Sequence, residues 1–89
     1  PLAAGGRGET ILVVEDDPDV RIALAAVLEA RGYRVLPTAS PDEALVAVER
    51  LESRPDLVLS DLNLPGIGGR RLAAELFARF PGLRLAFVL

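Results

Sequence analysis

The sequence predicts an α/β fold in which a doubly wound parallel sheet carries helices on both faces. Three observations support this prediction. Short apolar runs rich in β-branched residues alternate with amphipathic stretches of helical period along the 89 residues. The resulting order is β-α-β-α-β-α-β, and strict alternation favours parallel strands joined by right-handed crossovers. Acidic residues follow two of the predicted strands, at the edge where an open parallel sheet binds its ligands.

The first strand is predicted at residues 10–14, whose unbroken hydrophobicity indicates burial on both faces. A helix should follow, with Asp17 as its N-cap and Pro18 at its first position. Gly32 is expected to end this helix. Its apolar residues stand at helical spacing, at Val20, Leu24, Val27 and Leu28.

An edge strand and a capped helix are predicted in the middle of the chain. Residues 33–37 alternate at first in the manner of an edge strand. Ser40 and Glu43 form a capping box around Pro41, which marks a helix start. The apolar stripe of this helix is expected at Leu45, Val48 and Leu51.

A third strand is predicted at residues 57–60 and ends at Asp61. Residues 62–69 contain the proline and glycines of a shaped loop. A third helix should then run until Pro81 and Gly82, with apolar positions at Leu72, Ala73, Leu76, Phe77 and Phe80. Residues 83–89 read as a fourth strand. Residues 1–9 are rich in glycine and alanine and are expected to be a linker, so the predicted domain spans residues 10–89.

The composition excludes several kinds of site. All ten basic residues are arginines, and the chain contains no lysine, histidine or cysteine. Disulfides, zinc–thiolate sites and thiol nucleophiles are therefore ruled out, and a metal must be bound by oxygen. The net charge of −3 and the scattered arginines disfavour a nucleic-acid surface. No apolar run approaches a membrane span, and we expect a cytoplasmic setting without membrane contact.

Three acids should converge at the carboxyl ends of the first and third strands. If the edge-like second strand lies outside the first, the strand order is 2-1-3-4, and Glu15 and Asp16 then lie beside Asp61. Two unit charges ~4 Å apart repel by about 4 kcal/mol at an effective dielectric of 20, so this cluster calls for a proton or a cation. Mg²⁺ suits such oxygen ligands, and the main-chain carbonyl of Asn63 could complete its shell. Asp17 and Asp19 are expected to be ordinary helix-cap and turn residues.

The segment ILVVEDDPDVR, followed about 45 residues later by LVLSDLNLPGIGG, resembles the response-regulator receiver domain of two-component signalling. The resemblance covers residues 10–89 and implies a flavodoxin-like fold. It implies that Asp61 accepts a phosphoryl group from a phosphohistidine of a histidine kinase or histidine phosphotransfer protein. It also implies that Glu15, Asp16, Asp61 and the Asn63 carbonyl bind Mg²⁺. Pro65 and Gly69 match the loop that shapes the backbone after the acceptor.

The sequence departs from the family pattern in three places. Gly68 replaces a residue that is often polar, and Glu15 replaces the commoner aspartate. The family also has a Ser or Thr after its fourth strand and a Lys after its fifth, and this chain ends at Leu89 before either. We therefore expect the fifth strand and the last two helices to be absent from this piece of a longer protein. In a true fragment, the apolar strand at residues 83–89 would invite self-association.

Three functions remain as alternatives. The first is a phosphoacceptor module that assists its own phosphorylation and has no external substrate, and its motifs are similar to receivers at the carboxyl end of hybrid sensor kinases. A stand-alone regulator and a regulator with an output domain are the other contexts for such a module. A degenerate receiver that binds partners without phosphorylation is the second alternative. The third is a magnesium-dependent toprim-type enzyme of nucleic acids, which would need an acid in place of Asn63 and a basic face.

Overall fold

The computed structural model describes residues 7–51, 54–61 and 68–88. Within these ranges the elements are β1 (Thr10–Val14), α1 (Pro18–Ala30), β2 (Arg34–Thr38), α2 (Pro41–Glu49), β3 (Leu57–Asp61), α3 (Gly68–Arg79) and β4 (Leu85–Val88). All three strand pairings are parallel, and the order across the sheet is β2-β1-β3-β4. The predicted α/β fold and strand order are therefore confirmed. No helix in these ranges is long and apolar enough to cross a membrane.

Strand β1 lies at the centre of two apolar clusters. On one face, Ile11 and Val13 pack with Leu28 of α1 and with Tyr33. On the other face, Leu12 and Val14 belong to a cluster that also contains residues of α2 and α3. These four of the five side chains of β1 are almost completely buried, which confirms the prediction from their continuous hydrophobicity.

Helix α1 begins and ends as the sequence predicts. Oδ1 of Asp17 accepts hydrogen bonds from the amides of Asp19 at 2.9 Å and Val20 at 3.4 Å. Arg31 is the C-cap, and Gly32 follows with a φ of 92°, a left-handed conformation that glycine adopts without steric cost.

The predicted apolar stripe of α1 is only partly correct. Leu28 and Ala25 are buried and Leu24 is half-buried, whereas Val20 and Val27 are 40% and 55% exposed. Successive residues are about 100° apart around a helix, so Val27 lies about 100° from Leu28 and outside the buried arc. Ala25 is 8% exposed, so this small residue lies on the buried face of the helix.

Helix α2 has Ser40 as its N-cap, whose Oγ accepts a hydrogen bond from the Glu43 amide at 3.2 Å. Its buried residues are Pro41, Ala44 and Val48. The predicted stripe was wrong at Leu51, which lies beyond the last helical residue, Glu49.

Helix α3 buries Leu72, Ala73 and Leu76, whereas Phe77, another of its apolar positions, is 43% exposed. Phe80, another predicted member of the stripe, lies beyond the last helical residue, Arg79, and is half-buried. Strand β2 begins and ends one residue later than predicted, because Tyr33 precedes the sheet and packs under α1.

The expected linker, residues 1–9, falls mostly outside the described residues. Of its last three residues, Gly8 donates an amide hydrogen bond to the Gly32 carbonyl at 3.1 Å, and the Glu9 carbonyl accepts one from the Arg34 amide at 2.8 Å. These two contacts lie at the amino end of β2. The assignment of residues 1–9 as a linker stays a prediction.

Candidate functional site

The acids predicted to converge follow two neighbouring strands at the same edge of the sheet. Glu15 and Asp16 come directly after β1, and Asp61 is the last residue of β3. Val14 and Ser60 are register partners on two adjacent parallel strands, and Glu15 and Asp61 are the residues that follow them. Adjacent strands lie about 4.8 Å apart, and the backbone therefore brings these two residues to one place.

The main chain of Glu15 is fixed from both sides. Its amide donates to the carbonyl of Thr38, the last residue of β2, at 3.0 Å. Its carbonyl accepts a hydrogen bond from Nη1 of Arg21 on α1 at 2.9 Å. Thr38 is in turn buried, and its hydroxyl donates to the Val13 carbonyl at 2.8 Å.

Arg21 and Thr38 are the residues around this turn that the sequence analysis missed. Thr38 could have been noticed, because it ends an edge strand level with Val14 and is polar at a buried position. Arg21 stands four residues after the helix N-cap, a spacing typical of a solvated helix position, and nothing in the sequence marks its contact with a main-chain carbonyl.

The consecutive acids 15–17 differ in their surroundings. Glu15 is half-buried and its Oε2 is enclosed, whereas Asp16 is exposed. Asp17 is held by the helix cap that it forms, which confirms its predicted structural role. Of these three acids, Asp16 is therefore the one whose carboxylate is both exposed and not used as a helix cap.

Part of the predicted ligand set lies outside the described residues. Asn63 and Pro65 belong to the range 62–67, and for Asp61 the structure describes the backbone alone. Gly69 lies in the first turn of α3. The described side chains contain no group of three acids that could hold a metal. The Asp61 carboxylate is not among these described side chains.

A cavity of about 520 Å³ lies at the opposite, amino edge of the sheet and is separate from the acidic turn. Its polar lining residues already have structural hydrogen bonds. Oδ2 of Asp56 accepts from the Thr10 amide at 2.7 Å, and Nη1 of Arg54 donates to the Pro81 carbonyl at 3.3 Å. This cavity therefore has no evident part in the chemistry of the acidic edge.

Comparison with known families decides the classification. The model of the response regulator receiver domain matches residues 11–88. The chain belongs to this family. The receiver domain is 39% identical over 79 residues to sensor kinase CckA of Brucella abortus, and this match covers 89% of the chain and 8% of CckA. The chain thus spans less than a tenth of the length of that relative.

Solved structures show the same fold for the receiver domain. The crystal structure of the receiver domain from hybrid histidine kinase CckA is 38% identical with a TM-score of 0.78, over 88% of this chain and 72% of that one. Response regulator TrrA of Thermotoga maritima was solved in complex with Mg²⁺–BeF. It is 31% identical with a TM-score of 0.77, and the match covers 86% of this chain and 65% of TrrA. TrrA has also been solved in complex with histidine kinase ThkA. That match has 30% identity and a TM-score of 0.77, and it covers 89% of this chain and 66% of the other.

Proposed function

We propose that this receiver domain accepts a phosphoryl group on Asp61 from a phosphohistidine of a partner protein. One observation carries the proposal, namely the register that makes Asp61 and Glu15 the next residues after the paired Val14 and Ser60. Asp61 therefore follows Ser60 at the same carboxyl edge of the sheet as the acidic turn, which supports its proposed role as the acceptor. Membership of the receiver family supports the same assignment.

The proposed ligands of Mg²⁺ are Glu15, Asp16, Asp61 and the main-chain carbonyl of Asn63. The donor set fits this ion, because Asp16 is exposed at the sheet edge and Glu15 offers a second, partly buried carboxylate. TrrA, a similar receiver, was solved with Mg²⁺–BeF. When bound, Mg²⁺ neutralises and orients the phosphoryl oxygens.

In the proposed reaction, a carboxylate oxygen of Asp61 attacks phosphorus in line. An O–P bond forms as the N–P bond of the phosphohistidine breaks, and the released imidazole nitrogen takes up a proton. These 89 residues contain no histidine, so the phosphoryl donor lies outside them. The domain contributes mainly position, because Asp61 is carried by a strand that pairs with β1 and β4. We propose that Pro65 and Gly69 shape the backbone that follows Asp61.

The proposed partner is a histidine kinase or a histidine phosphotransfer protein. On α1, directly after the acidic turn, Val20, Ala23 and Val27 form an exposed apolar stripe at helical spacing. A partner helix can pack on such a stripe while its phosphohistidine reaches Asp61. The complex of TrrA with the kinase ThkA supports this kind of partner.

We further propose that the domain belongs to a longer signalling protein, and the similarity to CckA favours a hybrid kinase as the parent. Neither nucleic acid nor membrane is a proposed contact of this segment. The absence of cysteine is compatible with the reducing cytoplasm that we propose as its location.

Intact mass spectrometry tests the acceptor. The protein is incubated with Mg²⁺ and acetyl phosphate, and we expect the addition of one phosphoryl group that is stable in acid and lost in base. Asp61→Asn should abolish the addition, while Asp42→Asn, an exposed acid on α2, should retain it. Labelling that persists in Asp61→Asn would rule out the assignment, and no labelling of the wild type would favour a degenerate receiver.

A second experiment tests the docking stripe. Val20→Glu should slow transfer from a phosphorylated histidine kinase and leave labelling by acetyl phosphate unchanged. Val46→Glu is the matched control, because Val46 is 49% exposed on another helix and Val20 is 40% exposed. Equal rates of kinase-dependent transfer in the two variants would contradict docking on α1.

A further inference from the structure

We propose that Arg21 is a positioning residue for the metal site, because it fixes the peptide group between Glu15 and Asp16. This inference rests on the proposed function and adds a residue that the acidic ligand set does not include. Arg21 is not proposed to touch the ion or the phosphoryl group. Its role is to hold the main chain from which the Asp16 carboxylate projects.

The hydrogen bonds around Glu15 locate this role. The Thr38 carbonyl holds the Glu15 amide at 3.0 Å, so β2 fixes the amino side of the residue. The carbonyl side is held by Nη1 of Arg21 at 2.9 Å. That carbonyl belongs to the peptide plane shared with Asp16, and its rotation would swing Cα of Asp16 and redirect the carboxylate. Arg21 therefore restricts the ψ torsion of Glu15, which sets the direction in which the Asp16 carboxylate projects.

Helix α1 restricts the motion of the Arg21 side chain that holds the Glu15 carbonyl. The Arg21 amide donates to the Asp17 carbonyl at 2.9 Å, so the residue belongs to the first hydrogen-bonded turn of the helix. The helix is capped by Asp17 and begins with Pro18. Arg21 is half-buried, which restricts its rotamers more than full exposure would. The contact spans six residues and closes the acidic turn against the helix.

A charge-balancing role is the alternative explanation, since four acids stand at positions 15, 16, 17 and 19. The contact itself distinguishes the two roles. The ion pairs found among the described side chains are Arg71 with Glu75 and Arg79 with Glu49. Arg21 instead donates to a main-chain oxygen, so its principal effect is on backbone geometry.

Removal of an outer-shell partner typically weakens metal binding by about 10–100-fold, because the ligand then samples unproductive orientations. We expect the lower end of that range for Arg21→Gln, because the Thr38 contact still holds one side of the turn. If Arg21 acted only through its charge, Arg21→Gln should change the metal affinity in the opposite direction. A cation removed from beside an acidic site should tighten the binding of a divalent ion.

Binding of Mn²⁺, followed by its electron paramagnetic resonance signal, tests the proposal, because Mn²⁺ prefers the same oxygen ligands as Mg²⁺. The variants are Arg21→Gln, Arg21→Lys and, as the charge-matched control, Arg31→Gln at the far end of α1. We expect Arg21→Gln to bind about tenfold more weakly than Arg31→Gln. The side chain of Arg21→Lys is longer than that of Arg21→Gln, so its donor nitrogen comes nearer to the Glu15 carbonyl and should recover part of the loss. Binding by Arg21→Gln that equals or exceeds that of Arg31→Gln would overturn the proposal.

Backbone NMR of the metal-free protein separates this inference from the proposed function. In Arg21→Gln we expect the Glu15 carbonyl carbon resonance to shift, and the order parameter of the Asp16 amide to fall from about 0.85 towards 0.6. Neither change is expected in Arg31→Gln. If the wild type does not bind Mn²⁺, the proposed metal site fails, and these two NMR signals still decide whether Arg21 orders the turn. An unchanged Asp16 amide in a folded Arg21→Gln protein would overturn the positioning role.

Discussion

Thr38 is the residue whose hydroxyl joins β2 to β1 next to the acidic turn. The side chain is 5% exposed, and its Oγ1 donates to the Val13 carbonyl at 2.8 Å while its own carbonyl receives the Glu15 amide at 3.0 Å. A buried hydroxyl without a partner would destabilise the fold, so this bond is needed for the burial of Thr38. The same residue thus contributes to stability through its side chain and to the site through its main chain.

Thr38→Val should lower the free energy of unfolding by about 1–2 kcal/mol. The new methyl group cannot donate to the Val13 carbonyl, and the loss of one partner of a buried hydrogen bond costs about this much. Thr38→Ser keeps the donor and is the control, with a smaller loss from the deleted methyl group. Urea unfolding measures both variants. A stability of Thr38→Val equal to that of the wild type would contradict the importance of this bond.

Asp16 is expected to improve metal binding at the expense of the stability of the metal-free protein. Asp16→Asn removes one charge from the acidic edge, so in a chelator we expect the free energy of unfolding to rise by about 1 kcal/mol. The same variant should bind Mg²⁺ at least tenfold more weakly.

Glu29→Gln is the matched control for Asp16→Asn, because it removes an exposed acid at the far end of α1. It should change stability by less than about 0.5 kcal/mol and leave binding unchanged. Chemical unfolding with and without Mg²⁺ provides both quantities. Lower stability of Asp16→Asn in chelator would show that this carboxylate is not under repulsion.

At the scale of elements, α1 connects the acidic turn to the core. Its N-cap closes the turn that bears Glu15 and Asp16, and its buried side packs on β1 through Leu28. Its exposed side carries Val20 and Val27. One helix therefore offers a core face, a support for the metal site and an apolar surface towards solvent.

Substitutions at Leu28 and Val27, which are adjacent in sequence, test which face of α1 is buried. Leu28→Ala should lower the free energy of unfolding by about 2–4 kcal/mol, because it leaves a cavity beside Ile11 and Val13. Val27→Ala should change it by less than about 0.5 kcal/mol, because Val27 is 55% exposed. The difference between the two variants in urea unfolding measures the orientation of the helix. Comparable losses would show that Val27 also packs in the core.

The sequence predicts the elements of this fold better than their faces. The boundaries of α1 follow from Asp17, Pro18 and Gly32, because capping and left-handed φ depend on the residue type itself. The face of α1 could not be predicted, since Val27 and Leu28 are both apolar and only the packing of the helix on the sheet decides which of them is buried. The contact of Arg21 with the Glu15 carbonyl was equally hidden, because main-chain acceptors have no sequence signature.

On the scale of the whole molecule, the strand order creates the site. Strand β1 is paired with β2 on one side and with β3 on the other, so the strand order reverses direction at β1. The carboxyl ends of β1 and β3 are therefore neighbours although Glu15 and Asp61 are far apart in sequence. This part of the site was predictable, because the acids follow apolar strands and the edge character of β2 fixed the order. The ligand proposed at Asn63 lies outside the described residues and stays a prediction.

Strand β4 forms one edge of the described sheet, and we predict that the 89-residue chain self-associates through residues 83–89. Of this segment, β4 spans Leu85–Val88, and Leu89 lies outside the part that the structure describes. Sedimentation equilibrium should show an average mass that rises with protein concentration. Ala86→Pro, which removes a main-chain donor from the edge strand, should reduce the association. A monomer at all concentrations would contradict this prediction.

The position of the phosphorylated residue is the most direct test of the central claim. After phosphorylation by acetyl phosphate with Mg²⁺, borohydride reduces an aspartyl phosphate to homoserine, and peptide sequencing by mass spectrometry then locates that residue. The structure and the family assignment predict homoserine at position 61 and at no other acid. Homoserine at Asp16 or Asp56, or its absence from a protein that carries the phosphoryl mass, would contradict acceptance by Asp61.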